Sequence, residues 1–304
     1  MSIHITVRQL RVFLALAEHE SVSAAARACH VTQPTVSMQL REITAAVGVP
    51  LYEIIGKRLH LTSAGQELAR SARAMLDEWE AFSQRIEHAK GLTAGRLRIA
   101  AVSTAKYFAP RLLADFCRQH PAIDVTLEVL NRDGVVQRLR DNRDDFYIMS
   151  MPPRDLDIVA EAFMGNPLVV IAPRKHQLAS ARKITLKQLI DEPFILREKG
   201  SGTRLASDAH FKKYRFRPRI RLELGSNEAI KQCVIGGMGL AVLSQHALGE
   251  KSDARELAVL PVENFPVHAN WFVVYPGGRR LSPVAAAFLD TLQTQKPKRR
   301  ARTG

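Results

Sequence analysis

The sequence predicts an α/β protein that opens with a winged helix-turn-helix and a long helix before strands take over. Three observations predict it: helical apolar spacing broken by a tight turn within the first fifty residues, an unbroken 4-3 apolar repeat from residue 68 to 89, and alternating strand and helix signals from about residue 95 onward. A length of 304 residues leaves room for about two domains, each with its own core.

In TVRQLRVFLALAEHE the residues Leu10, Phe13, Leu14 and Ala17 share one helical face. A short alanine-rich helix follows in SVSAAARACH, with Ser21 and Ser23 as cap-type residues. His30 to Thr32 form a turn, and the next helix starts at Gln33. Thr32 is placed to cap it, and Pro34 is tolerated in the first turn, where its missing N–H has no intrahelical acceptor anyway. Gly48 and Pro50 stop it. The segment LYEIIGKRLHLT reads as two short strands around Gly56 and Lys57, a hairpin of wing size.

From Thr62 and Ser63 as cap candidates, Leu68, Ala72, Met75, Trp79, Phe82, Ile86 and Ala89 recur at spacings 4, 3, 4, 3, 4, 3. Such a seam buries itself against a partner helix rather than a broad core, which predicts a dimerisation element. A break at Lys90, Gly91, Thr93, Ala94 and Gly95 precedes the alternating part. There RLRIAAV, IDVTLEV, FYIMSM, PLVVIAP, FILRE, RIRLEL, LAVL and NWFVVY read as strands. YFAPRLLADFCRQHP, VVQRLR, NEAIKQCVI and PVAAAFLDTLQ read as helices.

The net charge of +14 suits a polyanionic partner, but its placing matters more than its sum. Residues 1–90 hold 10 basic and 9 acidic side chains, whereas residues 174–221 hold 14 basic and 4 acidic, and the tail KPKRRARTG adds five basic ones. The run FKKYRFRPRIR, with Arg217, Arg219 and Arg221 alternating, reads as a solvated strand face. Cys29, Cys117 and Cys233 lie far apart in apolar segments and read as reduced core thiols. No apolar run approaches the roughly 18 residues of a membrane span, and the start has no signal pattern, so a cytoplasmic chain is expected.

A helix, a three-residue turn and a helix place the second helix in a major groove with its N-terminal side chains at base edges. Gln33 presents a donor and an acceptor to adenine. Thr35 and Ser37 can bond bases or phosphate, and the Thr35 methyl can meet a thymine methyl. Arg27, Arg41, Lys57 and Arg58 are phosphate contacts. The competing reading is a generic helical hairpin with a polar surface. In the second part, hydroxyls open helices at Ser103 and Thr104, at Ser201 to Arg204 and at Ser226 with Asn227, where free N–H groups and the helix dipole attract anions. Simple capping competes with that reading at each segment. HExxH, CxxC, GxSxG and GxxxxGK[ST] are all absent, which removes the enzyme classes they mark.

The segments LRVFLALAEHESVSAAARACHVTQPTVSMQLREI, GVPLYE and LTSAGQ resemble the LysR-type transcriptional regulators. The resemblance puts Gln33, Pro34 and Ser37 at base-reading positions and counts Thr32 and Met38 in the DNA-binding set, with Met38 where many members have arginine and Thr44 where glutamate is usual. TAKYFAPRLLADFCRQHP, DNRDDFYIMSMPP, NPLVVIAP, SGTR and LGSNEAIKQCVIGGMGLAVLS are similar to the regulators of carbon-fixation operons, with Ser150 in place of a frequent glycine.

The resemblance implies a DNA-binding domain over 1–62, a linker helix over 63–90 and a two-lobed, periplasmic-binding-protein-like effector domain over 91–295. Lobe I would hold 91–163 and 267–295, lobe II 164–266, and a basic tail 296–304. It implies a regulator of Calvin-cycle, RuBisCO or inorganic carbon uptake genes and no enzyme activity. The implied effector is a small anion, a phosphorylated metabolite or NADPH, with double-stranded DNA, a homodimer or homotetramer and RNA polymerase as partners. The effector site would draw on Ser103, Thr104, Lys106, Met149, Ser201, Thr203, Arg204, Ser226 and Asn227. A regulator of another pathway, or a solute-binding protein or enzyme with an appended helical domain, are the alternatives.

Overall fold

A computed structural model describes residues 3–55, 58–89, 94–249 and 253–294. The chain divides into two compact units, residues 1–90 with 141–143, and residues 91–140 with 144–304.

In the first unit, α1 (Val7–His19) starts from a capping box between Thr6 and Gln9. Then come α2 (Val22–Ala28), capped by the Ser21 hydroxyl, and α3 (Gln33–Val47), which Gly48 ends in the left-handed conformation that suits a residue without Cβ. The hairpin β1 (Tyr52–Ile55) and β2 (Arg58–Leu61) pairs antiparallel, and α4 (Ser63–Ala89) follows. Phe13, Leu16, Val36, Leu40 and Ile43 form the centre of the core. The buried face of α1 also takes in Val12 and Leu16, two positions beyond the apolar stripe read from sequence.

Thr62 accepts from the Gly65 N–H and donates to the Pro50 carbonyl, fastening the start of α4 to the end of α3's loop. Gly65 passes so close to the Leu51 carbonyl that a Cβ would lie 1.9 Å from its oxygen. On α4, Ala72 is buried and Leu68 packs against the core, while Met75, Trp79, Phe82 and Ile86 are 62%, 58%, 46% and 41% exposed. The rings of Trp79 and Phe82 stand 5.8 Å apart. The side chain of Ala89, the tip of the hairpin at Gly56 and Lys57, the Arg58 side chain, residues 90–93 of the break and the basic tail lie outside the described residues, and Gly95, read as part of that break, already opens the next strand.

The second unit is one nine-stranded mixed sheet with helices on both faces. Its elements run β3 (Gly95–Val102), α5 (Ala109–Gln119), β4 (Ile123–Leu130), α6 (Arg132–Arg140), β5 (Phe146–Met149), β6 (Ile158–Pro173), β7 (Pro193–Arg197), α7 (Gly202–Lys213), β8 (Arg219–Leu224), α8 (Asn227–Ile235), β9 (Leu240–Ser244), α9 (Asp253–Glu256), β10 (Leu257–Leu260), β11 (Val267–Pro276) and α10 (Pro283–Thr294). The strand order is β4-β3-β5-β11-β6-β9-β7-β8, with β10 also on β6.

The two long antiparallel strands β6 and β11 join the halves, because β11 reaches β5 on one side while β6 reaches β9 on the other. Each half has its own core, around Phe116, Phe146, Trp271 and Phe288 in one and around Phe194, Phe211, Leu240 and Val242 in the other. This is the two-lobed arrangement, and the lobes named below are these halves.

Three local readings are corrected. The apolar run PLVVIAP is only the end of a strand that begins nine residues earlier, at Ile158; its first part, paired with β11, is exposed or half-buried except at Phe163 and Asn166 and lacks the continuous apolar signal. The run FKKYRFRPRIR is not one strand face. Phe211 lies in the last turn of α7, and Phe211 and Phe216 pack on Phe194, so only its end, from Arg219, is strand. Strand β10 was not read as a separate strand, although its LAVL repeats the first four residues of β9. The three cysteines are free thiols, each partly buried rather than fully in a core. No helix among the described residues is long and apolar enough to cross a membrane.

Candidate functional site

Two groups of side chains carry chemistry, one in each unit. At the start of α3 the Gln33 side chain donates from Nε2 to the Ser23 hydroxyl of α2 at 2.6 Å, which holds its amide in place and leaves Oε1 as an open acceptor. Thr32 occupies the cap position, but its hydroxyl meets the Thr35 hydroxyl at 2.8 Å and makes no cap bond to the helix backbone. Gln33, Pro34, Met38, Arg27 and Arg41 are exposed, and Thr35 and Ser37 are half-buried, so one face of the helix-turn-helix presents a continuous set of polar groups beside the Met38 thioether.

In the second unit, a cavity between the lobes is lined by Ser103, Thr104, Arg132, Ser150, Arg197, Ser201, Gly202, Thr203 and Trp271. Ser103 and Thr104 begin the tight turn Ser103–Tyr107 at the end of β3, while Ser201 caps α7 by accepting from the Arg204 N–H at 3.0 Å. The cavity measures about 10 Å³, room for about one water. Gly202 is the first residue of α7, and a Cβ there would lie 2.5 Å from the Ser150 hydroxyl, so the helix N-terminus can approach lobe I only as glycine.

The centre of the site is Arg197, a residue that the sequence reading missed. It ends β7, is buried, and uses all five of its N–H donors. Nη1 donates to Thr104 Oγ1 at 3.2 Å and to Asn227 Oδ1 at 2.7 Å, and Nη2 donates to Ser103 Oγ at 3.3 Å. Nε and the other Nη2 proton go to the two carboxylate oxygens of Glu198 at 2.7 and 2.8 Å. Asn227 also donates to Thr104 at 3.1 Å, so Arg197 and Asn227 of lobe II together clasp Thr104 of lobe I. Arg132 lines the same cavity and gives Nε and Nη2 to the Met151 carbonyl. The indole Nε1 of Trp271 is buried with no acceptor among the described residues, beside a register shift of β11 at Trp271/Phe272.

Ser103, Thr104, Ser201, Thr203 and Asn227 thus come together around one cavity and its clasp; four other expected positions do not. Arg204 is buried, but its guanidinium turns away to Asp208, Glu223 and the Arg197 carbonyl, because a carboxylate one helical turn on captures it first. Met149 is fully buried in the core formed with Tyr147 and Val274. Ser226 is exposed and caps α8. Lys106 is exposed and lies over the Tyr107 ring, 5.1 Å from its centre.

A second link crosses the lobes beside the cavity. The Tyr107 hydroxyl donates to Glu228, and Glu228 accepts from Lys231 Nζ at 2.9 Å, which also reaches Asp253 at 3.0 Å. Burial alone would lower the Lys231 pKa, but its bonds to the two carboxylates outweigh that and raise it. Burial would raise the pKa of Glu228, and bonds from Tyr107 and Lys231 bring it below the usual carboxylate value instead. The Tyr107 hydroxyl is raised, first by burial and then by Glu228. All three shifts keep the cluster in the same ionic form throughout the neutral range. Lys231→Met, which strands the buried Asp253 carboxylate, is expected to cost about 3 kcal/mol in urea unfolding.

Family models match both units: a bacterial regulatory helix-turn-helix protein of the lysR family over residues 7–66, and a LysR substrate binding domain over residues 90–297. The chain is 45% identical over 289 residues to a RuBisCO operon transcriptional regulator of Acidithiobacillus ferrooxidans, covering 95% of this chain and 94% of that one. It is 44% identical to the HTH-type transcriptional activator CmpR of Synechocystis, covering 94% of each. Among solved structures, the regulatory domain of CcmR from Synechocystis PCC6803 in complex with 2-PG is 47% identical with a TM-score of 0.64, covering 67% of this chain and 98% of that one.

Proposed function

Because this chain belongs to the LysR family of bacterial transcriptional regulators, we propose that it binds DNA upstream of carbon-fixation genes and alters their transcription in response to a small anion. The relatives named for the RuBisCO operon and for CmpR support the pathway, and the 2-PG complex of the CcmR domain supports the ligand class. The role is that of a cytoplasmic regulator rather than an enzyme.

The observation that carries the effector reading is the convergence on one cavity of the buried Arg197 guanidinium, the start of α7 and hydroxyls from both lobes. Free N–H groups at a helix start, a planar guanidinium and hydroxyls are the donors that a phosphate or carboxylate requires. The donors converge on one place from both lobes, as the oxygens of a single phosphorylated acid such as 2-PG require. A thermal-shift series with 2-PG and NADPH tests this: 2-PG should raise Tm in a concentration-dependent way and NADPH should not.

The DNA reading assigns α3 to the major groove, with the Gln33 amide on adenine and Thr35 and Ser37 beside it. Arg27, Arg41, Lys57 and Arg58 hold phosphates, and the exposed stripe of α4 joins two chains, which pair again into a tetramer that engages RNA polymerase. Gln33→Ala is expected to cost about 1–3 kcal/mol against the specific operator and little against random DNA. Lys57→Ala should weaken both alike and reduce the salt slope by about one unit. Competition binding at several salt concentrations checks both, and equal losses for Gln33→Ala on the two DNAs would remove it from base reading.

A further inference from the structure

All the donors of Arg197 are taken in the structure, and Glu198 holds two of them as a fork-to-fork pair at 2.7 and 2.8 Å. A carboxylate held by two parallel N–H bonds is the contact that an incoming carboxylate or phosphate would make with the same guanidinium. Of the Arg197 partners named above, Glu198 is the charged one, and it can leave without opening the contact between the lobes, which Ser103, Thr104 and Asn227 make with Arg197. Thr104 and Asn227 are buried, whereas the Glu198 side chain is 29% exposed. The cavity that Arg197 lines has room for about one water, so a ligand cannot enter while the present contacts all stand.

We propose that Glu198 is a built-in competitor for the effector's anionic group, and that binding exchanges the Glu198 carboxylate on Arg197 for an oxygen pair of the effector. The proposal rests on the reading of this cavity as an anion site. No covalent bond changes. The guanidinium keeps its charge and its donors, Glu198 swings to water, and the ligand takes the vacated Nε and Nη2. The competitor is part of the chain, so its local concentration is fixed, and every ligand pays the same displacement cost. Only a ligand with further oxygens clears that threshold, because it can also engage the start of α7 and the hydroxyls of Ser103, Thr104 and Thr203. A plain monocarboxylate, satisfying Arg197 alone, merely replaces one carboxylate by another. Glu198 thereby sets which anions the cleft answers to.

The test is titration calorimetry of the full chain with 2-PG and with acetate, on wild type, Glu198→Gln, Arg197→Gln and the double variant. Glu198→Gln should bind 2-PG about tenfold more tightly than wild type, since the competing charged pair is gone, and should bring acetate into measurable range. On the Arg197→Gln background the Glu198→Gln gain should vanish. Equal or weaker 2-PG binding by Glu198→Gln overturns the exchange and makes Glu198 a support for Arg197. A gain that persists without Arg197 also overturns it, because general charge removal is then the cause. If wild type binds 2-PG and only the Glu198→Gln gain is missing, the exchange alone falls. If none of the proteins binds 2-PG, the anion reading of the cavity falls and takes the exchange with it.

Discussion

Trp79→Glu is expected to turn the protein into a monomer at micromolar concentration and to reduce binding to a two-half-site operator by about 100-fold or more. On α4, Met75, Trp79, Phe82 and Ile86 recur on one face and all remain exposed while Ala72, earlier on the same helix, is buried. Four large apolar side chains in sequence on a solvated face lose the hydrophobic stabilisation that a partner helix would supply, roughly 1.5–3 kcal/mol for each side chain fully buried. Trp79 and Phe82 touch at the middle of the stripe, so a carboxylate there would be buried unpaired on association. Residue 79 lies on the exposed face of the helix, so the variant should fold normally. Sedimentation velocity reads the mass directly, and a Trp79→Glu protein of wild-type mass would place the chain–chain contact elsewhere.

Arg197→Gln is expected to remove the response to 2-PG, with at least a 100-fold loss of affinity by the loss of a fully used charge-assisted fork, while operator affinity without effector stays within about twofold. Arg197 also spans the lobes, so the variant loosens the clasp on Thr104 as well as the anion contact. Arg197→Lys separates the two effects. Lysine keeps the charge but cannot make two parallel bonds, so it should retain measurable but weak 2-PG binding. Effector-dependent footprints on wild type, Arg197→Gln and Arg197→Lys check the order. A full response by Arg197→Gln would remove this residue from the site.

The elements whose signals are local were legible in the sequence. The helix-turn-helix showed in the spacing of Leu10, Phe13 and Leu14 and in the turn before Gln33, and the α4 stripe showed in its 4-3 repeat. In the second unit the hydroxyls at 103–104 and 201–203 were found because capping residues announce helix starts, and both sets line the cavity. Arg197 was not found. A lone arginine after the apolar run Phe194–Leu196 resembles a strand end entering water, and its burial depends on Thr104 and Asn227, which lie 93 and 30 residues away. Arg204 stands elsewhere than expected: the S-G-T-R start marks the cap correctly, but the side chain follows Asp208, one turn further along α7, and Glu223, which the pairing of β7 and β8 brings close. Trp271 gave no signal beyond that of a core strand, and nothing local in the sequence marks its indole N–H as lacking an acceptor among the described residues.

In the proposed role, one chain couples recognition of carbon-fixation promoters to a small anion. The most direct measurement selects fragments from the genomic DNA of its own host on the purified full-length protein and then footprints the selected sites with and without 2-PG. The expected result is fragments upstream of carbon-fixation genes and a footprint whose length or bend changes on adding 2-PG, with that change lost in Arg197→Gln. Selected fragments unrelated to carbon fixation, or footprints identical with and without 2-PG, would contradict it.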